Sequence, residues 1–294
     1  MPGEASTARR REAEPEADKP GRAKARARAR PAAQPRPPAS NITLSETDGV
    51  RYLHFGTIWI QGAMRIARPY ALELEYQRQM MAPLLFIAEP RRILQLGLGA
   101  AALTKFCHRF VAGASVVVVD VDPAVVETAR RWFRLPPAGE RLEVVVGDAL
   151  EFLAAARRPP RRAGFDWLQV DLYDAAARGP VYDDVGFYRL CRAAMNAPAV
   201  ACFNLFGSRF ERSLAAISAA FDGRVVALPE ADAGNRIALA LNGPPVKVSF
   251  AQLFASAQAL EAVYPLPLRK WVAGLRGGAS DRSAVRTLPS HLIV

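Results

Sequence analysis

From residue 93 onward the apolar positions alternate between short solid runs and spaced stripes. Ile93–Leu96 is a solid run closed by Gly97-Leu98-Gly99. Ala101–Phe110 then carries its apolar residues at helical spacing, and Val116–Val119 is a second solid run ending in Asp120. Solid runs of this length fit strands buried on both faces, and the stripes between them fit helices packed on those strands. The alternation predicts strand 93–96, helix 100–111, strand 115–120, helix 123–133, strand 142–146, helix 148–157 and strand 165–170. A helix at 184–194, a strand at 199–205 and a helix at 208–220 follow, with strands 224–228 and 236–241 as a terminal antiparallel pair. Pro123 stands where a helix starts, its missing N–H costing nothing there. Pro136–Pro137 and Pro159–Pro160 punctuate the connections. The fold class is α/β, a doubly wound sheet.

The flanks read differently. Arg51–Phe55 and Thr57–Ile60 flank Gly56 and predict a hairpin, with Gly62 marking another turn. Pro69 opens a predicted helix, Tyr70 to Phe86, with Leu72, Tyr76, Met80 and Leu84 at spacing four and Pro90 as its stop. Residues 249–276 predict two helices broken at Pro265 and Pro267, and the final eighteen residues read as irregular. The expected domains are a disordered basic tail (1–40), a short N-terminal β region (41–68), a nucleoside-binding domain (69–245) and a C-terminal helical extension (246–294).

Composition narrows the class. Of 294 residues, 51% are hydrophobic, enough for a sizeable core. No run approaches the roughly 18–20 apolar residues of a membrane helix, and the first thirty residues lack a secretory core, so a cytoplasmic protein without membrane contact is expected. Cys107, Cys191 and Cys202 are widely spaced within apolar segments, which fits buried free thiols. His54, His108 and His291 have no close cysteine, and no metal is expected. Of the net +11, residues 1–40 contribute +5, from ten Lys/Arg and five Asp/Glu. That tail cannot bury enough surface to order itself. A basic tail can touch nucleic acid, but a solvated extension is the plainer expectation.

The chemistry concentrates at the ends of the predicted strands. Gly97-x-Gly99 allows close backbone approach to a ligand, and Asp120, at the end of the second strand, suits a pair of ribose hydroxyls. Gly147-Asp148-Ala149 follows the third strand, where a carboxylate can accept from an adenine amino group. Asp171 follows the fourth. Acids after strands two, three and four resemble sulfonium-nucleoside transferases, with a Rossmann-like, S-adenosylmethionine-dependent methyltransferase-type sheet, more than dehydrogenases. Each acid also suits a simpler role as a helix cap. In Asp171-Leu172-Tyr173-Asp174 the first carboxylate is the candidate base for an amine nucleophile, and Asp174 either holds an ammonium or closes an Asx turn.

Glu75-Tyr76-Gln77, Gly97-Leu98-Gly99-Ala100, Asp120-Val121-Asp122, Gly147-Asp148-Ala149 and Asp171-x-x-Asp174 together resemble spermidine synthase and its polyamine aminopropyltransferase relatives, over roughly residues 42–245. The resemblance implies aminopropyl transfer from decarboxylated S-adenosylmethionine to a small amine, in polyamine metabolism. Gly97, Gly99, Asp120 and Asp122 would hold the donor, with Asp120 on its ribose; Asp148 and Ala149 would meet adenine; Asp171 would take the proton. Tyr76, Gln77 and Asp174 would face the amines. That family is often dimeric through its N-terminal region, which is short here, so a homodimer stays open. Ala100 stands where the family has an acid for the donor's amine, Ala231 where it has a tyrosine, and Arg65 where it has a glutamine. Arg65, Arg68 and Arg78 are thus candidates for a cationic wall on the acceptor side. Loss of the acid at Ala100 would also make room for intact S-adenosylmethionine. A methyltransferase acting on a small molecule is therefore the alternative, and a non-catalytic nucleoside-binding protein the third.

Overall fold

The computed structural model describes residues 41–87, 89–156, 164–174, 180–231, 234–280 and 290–294; the predictions for the basic tail and for Pro159–Pro160 lie outside them. Its centre is a seven-stranded sheet. Strands β4 (Arg92–Leu96), β5 (Ser115–Asp120), β6 (Leu142–Val146), β7 (Phe165–Val170) and β8 (Met195–Phe206) run parallel, and β9 (Val225–Ala227) and β10 (Asn235–Asn242) complete it antiparallel. The spatial order is β6-β5-β4-β7-β8-β10-β9. The chain leaves β4 toward β5 on one side and returns to β7 on the other. The carboxyl ends of β4 and β7 therefore splay their loops apart, and ligands bind in such a crevice.

The solid apolar runs are explained by burial on both faces. Ile93, Val116 and Val118 face one core, with Phe106 of α2 (Ala102–Phe110), Phe250 and Trp271. Their neighbours Leu94, Leu96, Val117 and Val119 face the other. That second core is closed by Leu153 of α4 (Ala149–Ala156), Phe187 of α5 (Val185–Ala193) and Ile217 of α6 (Phe210–Ala220). Period-two alternation between two apolar layers makes these strands mostly apolar, and the polar side chains they do bury are paired, Gln95 Nε2 donating to Gln169 Oε1 at 2.6 Å.

Three predictions at the flanks need correction. The N-terminal hairpin turns at Asp48–Gly49, joining β1 (Ile42–Thr47) to β2 (Val50–Phe55), and not at Gly56. Both turn residues are left-handed (φ 51° and 72°), as a two-residue hairpin of this twist requires. Thr57–Ile60 is loop; the third strand of this small sheet is β3 (Gly62–Arg65). The long helix at 70–86 is instead α1 (Glu75–Gln79) followed by a 3-10 turn at Ala82–Leu85. Pro83 has no N–H to return to the Gln79 carbonyl, so the ladder fails there. At the C-terminus, α7 (Phe250–Glu261) and α8 (Leu268–Ser280) break as predicted. The last residues, however, include β12 (His291–Ile293), paired with β11 (Lys247–Ser249) so that Leu292 is buried. Among the described residues, no helix is long and apolar enough to cross a membrane.

Candidate active site

The site is built where β4, β5, β7 and β8 end. Gly97, at φ 95°, turns the chain out of β4, and a Cβ there would lie 2.2 Å from the Asp171 carbonyl oxygen. The loop after β7 thus rests directly on the glycine turn. Backbone bonds fix this: the Asp171 N–H donates to Leu96 O and the Gly97 N–H to Val119 O, both at 2.9 Å. Gly99 continues the turn beneath the Gln61 carbonyl. α3 (Pro123–Trp132) follows β5 on the other side of Asp120.

Asp120 closes β5 and organises the turn. One carboxylate oxygen accepts from the Leu98 N–H (2.9 Å) and the other from the Asp122 N–H (3.0 Å). Burial raises its pKa, and those backbone donors pull it back down. Each oxygen keeps lone-pair capacity beyond the one bond it accepts. Asp122 caps α3, accepting from the Ala124 N–H at 2.8 Å, so its carboxylate is also a helix cap. Asp148 likewise accepts from the Glu151 N–H at the start of α4, and its second oxygen takes a hydrogen bond from the Tyr182 hydroxyl. Ala149 is buried in the core on the α4 side.

Asp171 is held differently. Its carboxylate accepts from Asn204 Nδ2 at 2.9 Å, and the Asn204 amide oxygen accepts from Asn235 Nδ2 at 2.9 Å. The Asn204 carbonyl accepts from the Tyr173 hydroxyl at 2.8 Å. Burial raises the Asp171 pKa, while Asn204 and the Tyr76 hydroxyl lower it. Burial and the neighbouring Asp171 charge in turn hold the Tyr76 hydroxyl protonated. Beside them Gln77 is 4% exposed, its Nε2 is 3.4 Å from the Tyr76 hydroxyl, and its Oε1 has no hydrogen-bond partner. A buried acceptor without a partner is a place where a donor such as an ammonium would be stabilised. The Asp174 carbonyl accepts from Gln61 Nε2 at 3.4 Å, which ties this loop to the β2–β3 connection.

Two of the three arginines on the proposed acceptor side, Arg65 and Arg78, are tied to neighbouring groups, as in an ordinary basic surface. Arg65 pairs with Glu73 and also reaches the Asp48 carbonyl; Arg78 is held by the Leu72 and Glu73 carbonyls and by Glu75. Ala100 is 3% exposed and packs with Leu53, Met64 and Phe133, against Gly62, where a Cβ would lie 2.5 Å from the Ala100 Cβ. Its side chain therefore leaves no ligand space to fill.

Sequence reasoning did not single out Asn204, Asn235 or Tyr182. Asn204 had a signal, being the one polar side chain in the run Ala199–Phe206. Asn235 opens β10 and Tyr182 lies in the connection from β7 to α5, and what each meets is set by tertiary folding. Among the described residues, no group of three or more His, Cys, Asp or Glu side chains is placed to hold a metal ion.

Comparison with known proteins supplies the family. The Spermine/spermidine synthase domain model matches residues 73–211. The polyamine aminopropyltransferase of Chromobacterium violaceum is 31% identical over 251 residues, 84% of this chain and 92% of that protein. Among solved structures, a probable spermidine synthase from Corynebacterium glutamicum superposes with a TM-score of 0.61 at 19% identity, over 84% of this chain and 95% of that one. Human methyltransferase-like protein 13, solved in complex with SAH, superposes at 0.60 and 23% identity, over 66% and 93%. The two structures share the methyltransferase-type fold with this chain, and the extended sequence match shows that the chain belongs to the polyamine aminopropyltransferase (spermine/spermidine synthase) family.

Proposed function

We propose that this protein transfers an aminopropyl group from decarboxylated S-adenosylmethionine to an amine of polyamine metabolism, with Asp171 as general base. The observation that carries this reading is the Asp171 carboxylate: buried, held by Asn204, and beside the Tyr76 hydroxyl. An attacking amine must first lose a proton, and a buried carboxylate with a raised pKa is matched to that task.

The acceptor nitrogen forms a bond to the aminopropyl carbon as the carbon–sulfur bond breaks. The bonding pair stays on sulfur, releasing methylthioadenosine, and the proton passes to Asp171. Because the sulfonium is a good leaving group, alignment does much of the remaining work. Asp120 binds the ribose hydroxyls with its spare lone pairs, Gly97 and Gly99 let the backbone approach, and Asp148 reads the adenine amino group. Asp122 supports the turn as a cap beside the ribose. Ala149 packs beneath the adenine edge, and Gln77 and Asp174 hold amines.

The test is release of methylthioadenosine from the decarboxylated donor, followed by chromatography with a panel of amines. Asp171→Asn, which keeps the bond from Asn204 sterically possible, is expected to lower kcat by about 10²–10⁴ while methylthioadenosine still binds. Wild-type-like turnover in that variant would remove Asp171 from the role of base.

A further inference from the structure

One step below the reacting centre, a row of polar side chains crosses the core. Gln95 of β4, Gln169 of β7 and Cys202 of β8 are register partners across the sheet, and each is at most 1% exposed. Their hydrogen bonds run in one direction. Thr104 Oγ1–H of α2 donates to Gln95 Oε1, and Gln95 Nε2 donates to Gln169 Oε1, both at 2.6 Å. Gln169 Nε2 then donates to the Met80 carbonyl at 3.2 Å, and Cys202 Sγ reaches the same carbonyl at 3.3 Å.

That carbonyl ends α1 and has no helical partner: Pro83 offers no N–H, and the Leu84 N–H goes to Met81 O at 3.1 Å. One turn earlier the same helix carries Tyr76, whose carbonyl accepts from the Met80 N–H at 2.9 Å. Residues two apart on a strand share a face, so Gln169 and Asp171, which prolongs the ladder by donating to Leu96 O, point the same way. A helical turn rises about 5.4 Å and two strand residues span about 6.6 Å. The two spacings nearly match. The helix end therefore meets β7 on two successive rungs, Met80 on Gln169 and Tyr76 beside Asp171, which Asn204 holds from β8.

We propose that Gln169 is a positioning residue for the reaction: by holding Met80 it sets α1 where the Tyr76 hydroxyl meets the Asp171 carboxylate. The inference rests on the functional reading above and adds a residue to it. Leucines would fill this row with no polar group to satisfy, so what the glutamines contribute is direction. Thr104 orients Gln95, and Gln95 orients the Gln169 amide so that its Nε2 faces Met80. The Tyr76 hydroxyl lowers the Asp171 pKa, so a helix released from Gln169 lets that pKa rise.

The experiment follows the Asp171 carboxyl carbon by NMR across pH in the full-length protein, its signal assigned by its loss in Asp171→Asn. It compares the wild type, Gln95→Leu/Gln169→Leu, Tyr76→Phe and the three changes together. Removing both glutamines strands neither one, Met80 keeps Cys202, and Thr104 can return its hydroxyl to the helix backbone, so the fold should persist in urea unfolding. Gln169→Met, which breaks the bond to Met80 and leaves Gln95 in place, is the second variant. The Asp171 midpoint should rise in the leucine pair, in Gln169→Met and in Tyr76→Phe. It should rise no further when the leucine pair is added to Tyr76→Phe. In the leucine pair kcat for methylthioadenosine release should fall roughly tenfold, with the KM of the donor unchanged. A wild-type midpoint in both glutamine variants, or the same rise with and without the Tyr76 hydroxyl, would overturn the proposal, because the row would then act only as core. Turnover is scored separately: the expected midpoints without methylthioadenosine release by the wild type would keep Gln169 assigned and remove aminopropyl transfer.

Discussion

At the scale of single residues the site is a set of carboxylates whose second partners decide their behaviour. Asn204 donates to Asp171 and lowers a pKa that burial raises. Replacing Asn204 with Leu removes that donor and keeps the bulk, so the Asp171 pKa should climb further. A base works only when ionised, so kcat/KM is full above this pKa and falls below it. The acid limb of the pH–rate profile should accordingly move to higher pH in the variant; an unmoved limb would mean that another group sets it. Asp148 makes the complementary case. The Tyr182 hydroxyl donates to the oxygen that an adenine amino group would use, while the Tyr182 ring stacks on Phe187 with centroids 5.1 Å apart. Tyr182→Phe frees the oxygen and keeps the stack. Methylthioadenosine should bind about fivefold more tightly, the equivalent of ~1 kcal/mol for one displaced hydrogen bond, read by calorimetry.

At the scale of elements, the crossing of two loops at Gly97 is the fixed point of the site. Gly97→Ala would strain a positive φ and press a methyl group onto the Asp171 carbonyl. It should cost stability by about 1–3 kcal/mol and cut kcat, because it displaces the base itself. Gly113, with open space around it and an ordinary φ, is the control: Gly113→Ala should leave both nearly unchanged. What was legible in the sequence follows the same division. The strands and helices from 93 to 241 were readable because burial on both faces writes solid runs, and Asp120 and Asp171 stand at their ends for the same reason. The N-terminal hairpin was misread because Gly56 drew attention away from Asp48–Gly49, the pair whose two left-handed residues make the turn. Tyr76 was placed on a long helix because its apolar spacing runs unbroken to Leu84; Pro83, which divides that helix, also bears no polar mark in the pattern. The pairing of Asn204 with Asn235 spans 31 residues, and no local pattern carries such a contact.

At the scale of the whole molecule, one charge is buried in the interior. Lys105 lies within α2, 1% exposed, and its ammonium nitrogen has no hydrogen-bond partner among the described residues. Burial, with Arg134 adding repulsion, brings its pKa down to about 7. The unfolded chain holds that proton up to its ordinary pKa near 10.4, so between those values the unfolded state binds more protons than the folded one. Stability must then rise with pH across the window, and the penalty is complete below the folded pKa. Urea unfolding from pH 7 to 9.5 should show a gain on the order of 2–3 kcal/mol in the wild type. Lys105→Met keeps the length of the side chain and removes the titration. It should flatten that rise and stabilise the protein at pH 7, because an unpaired buried charge is replaced by packing. Lys105 is remote from the proposed chemistry in role, so amine turnover at pH 9 should be the same in both proteins. Equal slopes of stability against pH in the two would show that the ammonium reaches water in solution, and the cost assigned to this interior charge would be withdrawn.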